Sequence, residues 1–515
     1  MLTQLTEKHE TLLQRFLEVL PGFSTWAVMT SPIWLGVFYP QAIVYTLTFF
    51  TVYWSYMSFR HTYGMYVGYN NYRREMAMDW MAECAKLNFA DLPEQSTLPA
   101  KFEDLRHFIL IPAVNEPERV LRDTIEAIHK QTLPIRQIVL IFTVEQRGAD
   151  TVVPTIEKIV ANYKHEFCKF LIYTHPAGIP GEAIGAGAAN RTWGAIHAVD
   201  ELKQSEENLR NFIFTTIDAD HVLDRQYLAR LSHLYLTANR RDYHYYSTAV
   251  YLFNNNLWRV PPLMRIEANA VTLACLSDWV VTKKSMKDTF SSYSLSLQTL
   301  IDADYWDVSL GVDDTIMYWR AFFTRDGDFD GLPHYIPFSA DAVEGKNLID
   351  SHVSLYKQLL RWGWGVIEFP LSIKGFIKNK KIPITKKLAW VVKHFEKRVL
   401  LLNTVFLITF GFSLVTLVNP YVKQSNFAYS LPHIMSLILT ITLVCILPGT
   451  YYRVKLSAPF PKDWPWWKRG LSVFIEGPLI IVNLLTYSFF PAIEAQTRML
   501  FGKKMKDLYH TPKVG

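Results

Sequence analysis

Apolar residues cluster toward the two ends of this chain, and a strand–helix alternation fills the middle. Residues 23–59 (FSTWAVMTSPIWLGVFYPQAIVYTLTFFTVYWSYMSF) are almost free of charge and are interrupted by Pro32 and Pro40. A bilayer core of about 30 Å takes about 20 apolar helical residues. Residues 23–39 are therefore short for one span and 41–59 about right, so the stretch reads as two closely spaced spans or one long kinked one. Further apolar stretches lie at 399–418, 429–450 and 471–490. The opening MLTQLTEKHETLLQRFLEVL carries Glu7, Glu10 and Glu18 and has no small-residue cleavage site, so it is not a signal peptide. Its apolar positions (Leu5, Leu12, Leu13, Phe16, Leu17, Leu20) predict an amphipathic helix lying on the membrane or on the protein.

From about 101 to 347 the pattern predicts strands at 108–111, 136–142, 170–174 and 211–217, with helices at 118–131, 151–163, 183–202 and 225–238. Such alternation predicts an α/β layered domain with a mostly parallel sheet. Ligands in these sheets bind beyond the carboxyl ends of the strands. The residues after Ile111, Phe142 and Ile217 are thus the first candidates.

Length and charge refine this picture. At 515 residues the chain has room for about three domains of about 150 residues. Its net charge of +6 is too small to point to nucleic acid. Cys84, Cys168, Cys275 and Cys445 lie far apart with no CxxC pair, which excludes a disulfide scaffold and a cysteine zinc site. Positive charge flanks the apolar stretches unevenly. Arg60, Arg73 and Arg74 follow the first, and Lys378, Lys380, Lys381, Lys386, Lys387, Lys393 and Lys397 precede the second, where anionic lipid is the expected neighbour. Loop 419–430 has only Lys423, whereas 453–469 is basic again. The middle segment is therefore expected in the cytoplasm. The tail (Arg498, Lys503, Lys504, Lys506) is basic too, although an odd number of crossings would put it outside; Glu476, Gly477 and Pro478 suggest a re-entrant path that restores parity.

Three sequence runs carry candidate chemistry. In TTIDADHV, Asp218 and Asp220 are two apart at a strand exit, so their carboxylates point the same way. Hard oxygen donors of this kind suit Mg²⁺ or Mn²⁺ bridging a diphosphate, and equally suit a helix cap. Asp313 and Asp314 precede the apolar run IMYWRAFF. Acids at a helix start are favoured by the dipole, and one of them could serve as general base. In SLYKQLLRWGWGVIEFP, Gln358, Arg361 and Trp362 share a helix face. Arg361 could hold a phosphate and Trp362 could stack on a sugar or base, or the aromatic residues could form an interfacial belt.

Taken together, IPAVNEPERVLRDTIEAIHKQTLP, TIDAD, VDD and QLLRW resemble the membrane-integrated family-2 glycosyltransferases, the group of cellulose, chitin and hyaluronan synthases, in order and approximate spacing. The tail MLFGKKMKDLYHTPK resembles the end of some members. The resemblance implies a GT-A nucleotide-sugar domain flanked by transmembrane helices, and an inverted glycosidic product. It implies Pro112, Ala113, Asn115 and Glu116 at the nucleotide, Glu145 at the base, and Asp218 and Asp220 on the metal-bound diphosphate. Asp314 is implied as general base beside Asp313, with Gln358, Arg361 and Trp362 closing over diphosphate and acceptor. The chain departs from the family at Glu145, where an Asp is usual, and in GEAIGAGAANRTWG, which keeps Asn190 but lacks the usual Lys. Arg191 is the candidate replacement.

The organisation expected is an amphipathic helix (1–22), N-terminal spans (23–60), the catalytic domain (61–347), interfacial helices with the basic loop (348–398), C-terminal spans (399–495) and a basic tail (496–515). The expected function is metal-assisted transfer of a sugar from a nucleotide-sugar donor to a lipid-linked or glycan acceptor at the cytoplasmic membrane face. It could be processive, making polysaccharide, or a single transfer. The competing expectation is a non-catalytic membrane protein that binds nucleotide sugar as a sensor or assembly subunit. A transporter is disfavoured because the spans carry few ionisable residues.

Overall fold

Residues 10–183, 187–503, 509–511 and 513 are described by a computed structural model. Leu5 of the expected N-terminal helix, and Lys504 and Lys506 of the basic tail, lie outside the described residues. The chain forms two compact units, Gly68–Ser354 with Met505–Gly515, and Met1–Val67 with Leu355–Lys504.

The first unit is built on a mixed seven-stranded sheet of order β3-β2-β1-β4-β8-β6-β9. Strands β1 (Arg106–Ala113), β2 (Ile138–Glu145), β3 (Lys169–His175) and β4 (Phe212–Thr216) run parallel, as the alternation predicts. The remaining strands are β5 (Val222–Leu223), β6 (His244–Thr248), β7 (Tyr251–Leu252), β8 (Tyr293–Ser296), β9 (Asp330–His334) and β10 (Phe338–Ser339). Strand β8 is antiparallel to both β4 and β6, so the sheet is mixed rather than wholly parallel. A small second sheet pairs β5, β10 and β7.

Strands β2 and β4 are buried along almost their whole length because both faces of the sheet are covered. Ile109, Ile111, Leu140 and Phe142 pack with Leu121, Ile125 and Ile128 of helix Glu118–His129 and with Val152 and Ile156 of helix Gln146–Val160. The alternate residues Leu110 and Thr143 face helix Gly187–Gln204. That helix lies close to the sheet because Gly194 has no Cβ; one added there would fall 1.8 Å from Thr143 Oγ1. Helix Gln146–Val160 begins directly after β2, five residues before the expected 151, so Glu145 sits at the turn between them.

Within this unit Glu75 and Arg230 form a buried ion pair. Arg230 donates from Nη2 to Glu75 Oε1 at 2.9 Å and from Nε to Oε2 at 3.0 Å, Tyr335 N–H donates to Oε2 at 2.7 Å, and the guanidinium lies 4.2 Å from the Trp80 ring.

The second unit is helical. Helices Glu10–Met29 and Ser31–Phe38 lead into Pro40–Met76, which runs well beyond the apolar stretch that predicts it. Helix Glu10–Met29 passes through Pro21 and packs on Phe490–Leu500, with Thr25 Oγ1 donating to Gln496 Oε1 at 2.7 Å and Trp26 Nε1 to Thr497 Oγ1 at 2.9 Å. Among the described residues, three helices are long and apolar enough to cross a membrane: Ile384–Val418, Ser430–Leu456 and Trp466–Leu500. They extend the three C-terminal stretches expected from the sequence. The N-terminal helices fall short of that threshold, since Tyr, Thr and Trp dilute their aliphatic content. Gly477 and Pro478 do not break the last helix, and Glu476 is buried in an ion pair with Arg453.

Removing one partner of the Glu75–Arg230 pair strands a buried charge. Glu75→Leu is expected to cost about 3 kcal/mol, and Glu75→Leu combined with Arg230→Met less than Glu75→Leu alone, read as thermal melting of the purified protein.

Candidate active site

The site lies in the first unit, at the carboxyl ends of β1, β2 and β4. Pro112 and Ala113 end β1, and Asn115 in the following loop is exposed. Glu116 turns back and accepts the Val114 N–H at 2.6 Å. Asn190, on helix Gly187–Gln204, donates to Thr143 O at 2.9 Å and Ala113 O at 3.3 Å, stapling the ends of β2 and β1. Its Oδ1 is buried without a partner. Glu145 is paired with Arg147 Nε at 2.7 Å.

Just past β4, Asp218 and Asp220 diverge in their surroundings. Asp218 remains 40% exposed and Asp220 only 7%. Arg191, buried on the helix that carries Asn190, donates from Nη2 to Asp218 Oδ1 at 2.6 Å and from Nε to Thr216 Oγ1 at 2.9 Å. Its Nη1 bonds Asp313 Oδ2. Asp313 precedes helix Asp314–Thr324, so Arg191 joins the two acidic motifs. Asp220 Oδ2 accepts from Lys513 Nζ at 2.6 Å and from Asp341 N–H at 3.0 Å. The His221 ring stacks on Phe338 at 4.2 Å, with Nδ1 2.6 Å from Ser292 Oγ. Ser291 holds a left-handed φ of 51° beside Asp218, its Oγ 3.5 Å from Asp218 Oδ2.

Proton affinities follow from these neighbours. Burial, then the charge of Asp313, pushes the Asp314 carboxyl well above the usual range; Arg191 offsets this only in part. Burial likewise raises Glu116, and burial followed by Asp220 raises Asp341. Burial opposes ionisation of Asp220, but Lys513 and His221 outweigh it and bring its pKa down to about 2. For Asp218, burial is outweighed by His221 and Arg191, and its pKa is lowered. Arg191 and Lys513 stay charged despite burial because the same carboxylates face them, Asp313 and Asp218 for Arg191 and Asp220 and Asp341 for Lys513.

Among the described residues, no three His, Cys, Asp or Glu side chains form a ready metal cage. The donor set still suits a hard divalent cation. Mg²⁺-type sites use one or two carboxylates and complete the shell with water and substrate phosphate. The Lys513 ammonium already stands on Asp220 as a cation, and Asp341 Oδ1 beside it is buried without a hydrogen bond.

Of the residues expected from sequence, Asp218 and Asp313 are linked through Arg191, with Asp220 and Asp314 each two or fewer residues from one of them. Glu116 and Asn190 occupy the adjoining strand ends. Gln358, Arg361 and Trp362 lie on the part of helix Leu348–Gly363 that belongs to the second unit. Sequence reasoning missed Lys513, Asp341 and Arg119, which donates to Asp341 Oδ2 at 2.8 Å. Lys513 is 293 residues from Asp220, so no local spacing could reveal it. His221 directly follows Asp220 in TIDADH, a local signal the sequence does carry.

No family model and no curated protein matches this chain. Among solved structures it is similar to the mannosyltransferase PcManGT from Pyrobaculum calidifontis in complex with GDP-Man and Mn²⁺, at 14% identity and a TM-score of 0.42, covering 86% of this chain and 98% of that one. It is also similar to S. aureus TarS 1-349 in complex with UDP-GlcNAc, at 12% identity and a TM-score of 0.35, covering 78% and 93%.

The tail residue Thr511 is buried in this unit, and its neighbour two places on, Lys513, forms the ion pair with Asp220. A folded-state pKa depressed to about 2 means that the pair stabilises the tail above the ordinary carboxylate pKa of about 3.9 and is lost as pH falls through about 2. At neutral pH, Lys513→Met is expected to speed thiol labelling of a Thr511→Cys reporter by on the order of 10²-fold, the equivalent of about 3 kcal/mol.

Proposed function

We propose that this chain is an inverting glycosyltransferase that moves a sugar from a nucleotide-sugar donor to an acceptor hydroxyl at the cytoplasmic face of a membrane. The observation that carries this reading is the Asp218–Arg191–Asp313 bridge, which gathers the carboxylates of TIDAD and VDD beyond one strand end. Isolated acids of either motif could be helix caps, but caps do not require a shared buried arginine.

In this reading each residue has a defined task. Asp314 takes the proton of the acceptor hydroxyl. Its raised proton affinity suits a base better than an ordinary carboxylate would. Asp218 and Asp220 would hold Mg²⁺ or Mn²⁺, and such a cation, when bound, neutralises charge on a departing diphosphate. Arg191 holds Asp218 and Asp313 in place. Glu116 and Glu145 lie at the strand ends where ribose and base are expected, with Asn190 keeping β1 and β2 together beneath them. The three long apolar helices support action on a membrane-associated acceptor.

The test is incubation of membranes containing the chain with a panel of labelled nucleotide sugars, with and without Mg²⁺ or Mn²⁺. Transfer from at least one donor is expected, and excess EDTA should abolish it; no transfer from any donor rejects the proposal. Asp314→Asn should lower turnover by about 10³-fold while nucleotide binding, followed by calorimetry, persists. Wild-type turnover should fall on acidification as Asp314 takes up its proton, with the acid limb above the ordinary carboxylate range.

A further inference from the structure

Arg191 makes three separate bonds with three separate nitrogens. Nε reaches Thr216 Oγ1 at the end of β4, Nη2 reaches Asp218 Oδ1 in the loop that follows, and Nη1 reaches Asp313 at the start of helix Asp314–Thr324. A planar, permanently charged fork can serve three acceptors in fixed directions at once, whereas a lysine ammonium at the same Cα is a single point charge. The three acceptors belong to two distant parts of the chain, so the guanidinium fixes how far apart the two acidic motifs stand.

The backbone leaves room for this arrangement. Gly187, one turn before Arg191 on the same helix, has no Cβ; one built there would lie 2.5 Å from Asp313 Oδ2 and 2.6 Å from Arg191 Nη1. Gly187 is the first residue of that helix. Its place under the Arg191–Asp313 contact, and the fact that an added methyl would meet side-chain ends rather than backbone, link the glycine to the pair.

We propose that Arg191 is a positioning residue that locks Asp218 and Asp313 in one frame, with Gly187 as the seat of the lock, so that neighbouring Asp314 is presented to the acceptor with no cation bonded to its own carboxylate. The inference rests on the sugar-transfer reading for its kinetic consequences, but the lock itself does not. Burial makes the lock strong: the side chains of Arg191 and Asp313 are 6% and 19% exposed, so water competes poorly for the contact. Among the described residues, Asp314 has no salt-bridge partner of its own.

The experiment has a kinetic arm and a stability arm, both on the full chain. In the kinetic arm, Arg191→Lys and Gly187→Ala should each lower kcat by about 10- to 10²-fold, the effect of a misplacement near 1 Å, and leave the donor KM within about threefold. Arg191→Met should fall below Arg191→Lys, since lysine restores the charge. A loss confined to KM, or turnover of Gly187→Ala within about twofold of wild type, overturns the proposal. In the stability arm, Arg191→Met, Asp313→Asn and the double variant are melted; the double shift should be smaller than the sum of the single shifts, and additive shifts overturn the lock. Wild-type protein that transfers no sugar would reject the catalytic reading, and the melting cycle would then decide the lock by itself.

Discussion

Like charges gathered in a largely buried cluster repel one another, and this protein relieves that repulsion with cations from its own chain. Asp218, Asp220, Asp313, Asp314, Asp341 and Glu116 crowd the ends of the central strands, and Arg191, Lys513 and Arg119 stand among them. At Asp220, Lys513 and His221 outweigh burial and lower the pKa; at Asp314 and Glu116 burial dominates and raises it, and at Asp341 it does so even with Arg119 bonded to the carboxylate. The cluster thus contains carboxyls with pKa values shifted in opposite directions within a few side chains of each other. Such a division of roles lets one group bind a cation while another accepts a proton.

The scaffold makes this crowding possible. Both faces of the parallel strands are covered by helices, so the strand ends are the part of the sheet left to carry polar function. Helix Gly187–Gln204 has two tasks there. Gly194 lets it lie close to Thr143, and the turn before that brings Asn190 to the ends of β1 and β2 and Arg191 to β4. The helix that packs the core therefore also sets the site.

Much of this was legible in the sequence because it is local. The apolar runs of β1 to β4, the acid pair after β4 and the acids opening helix Asp314–Thr324 all follow from short-range pattern. Strand β8 was not foreseen: YSLS is too short and too polar to signal a central strand, and its antiparallel pairing depends on β4 and β6, which flank it only in the fold. The start of helix Gln146–Val160 was placed late because Gln146, Arg147 and Gly148 carry no apolar period. Lys513 and Asp341 reach Asp220 only through tertiary structure, so no spacing rule could reveal them.

The tail contact also constrains the order in which the first unit can be completed. Lys513 Nζ lies 2.6 Å from Asp220 Oδ2, so the acid after β4 gains this cation only once residues 355–504, the bulk of the other unit, have been synthesised.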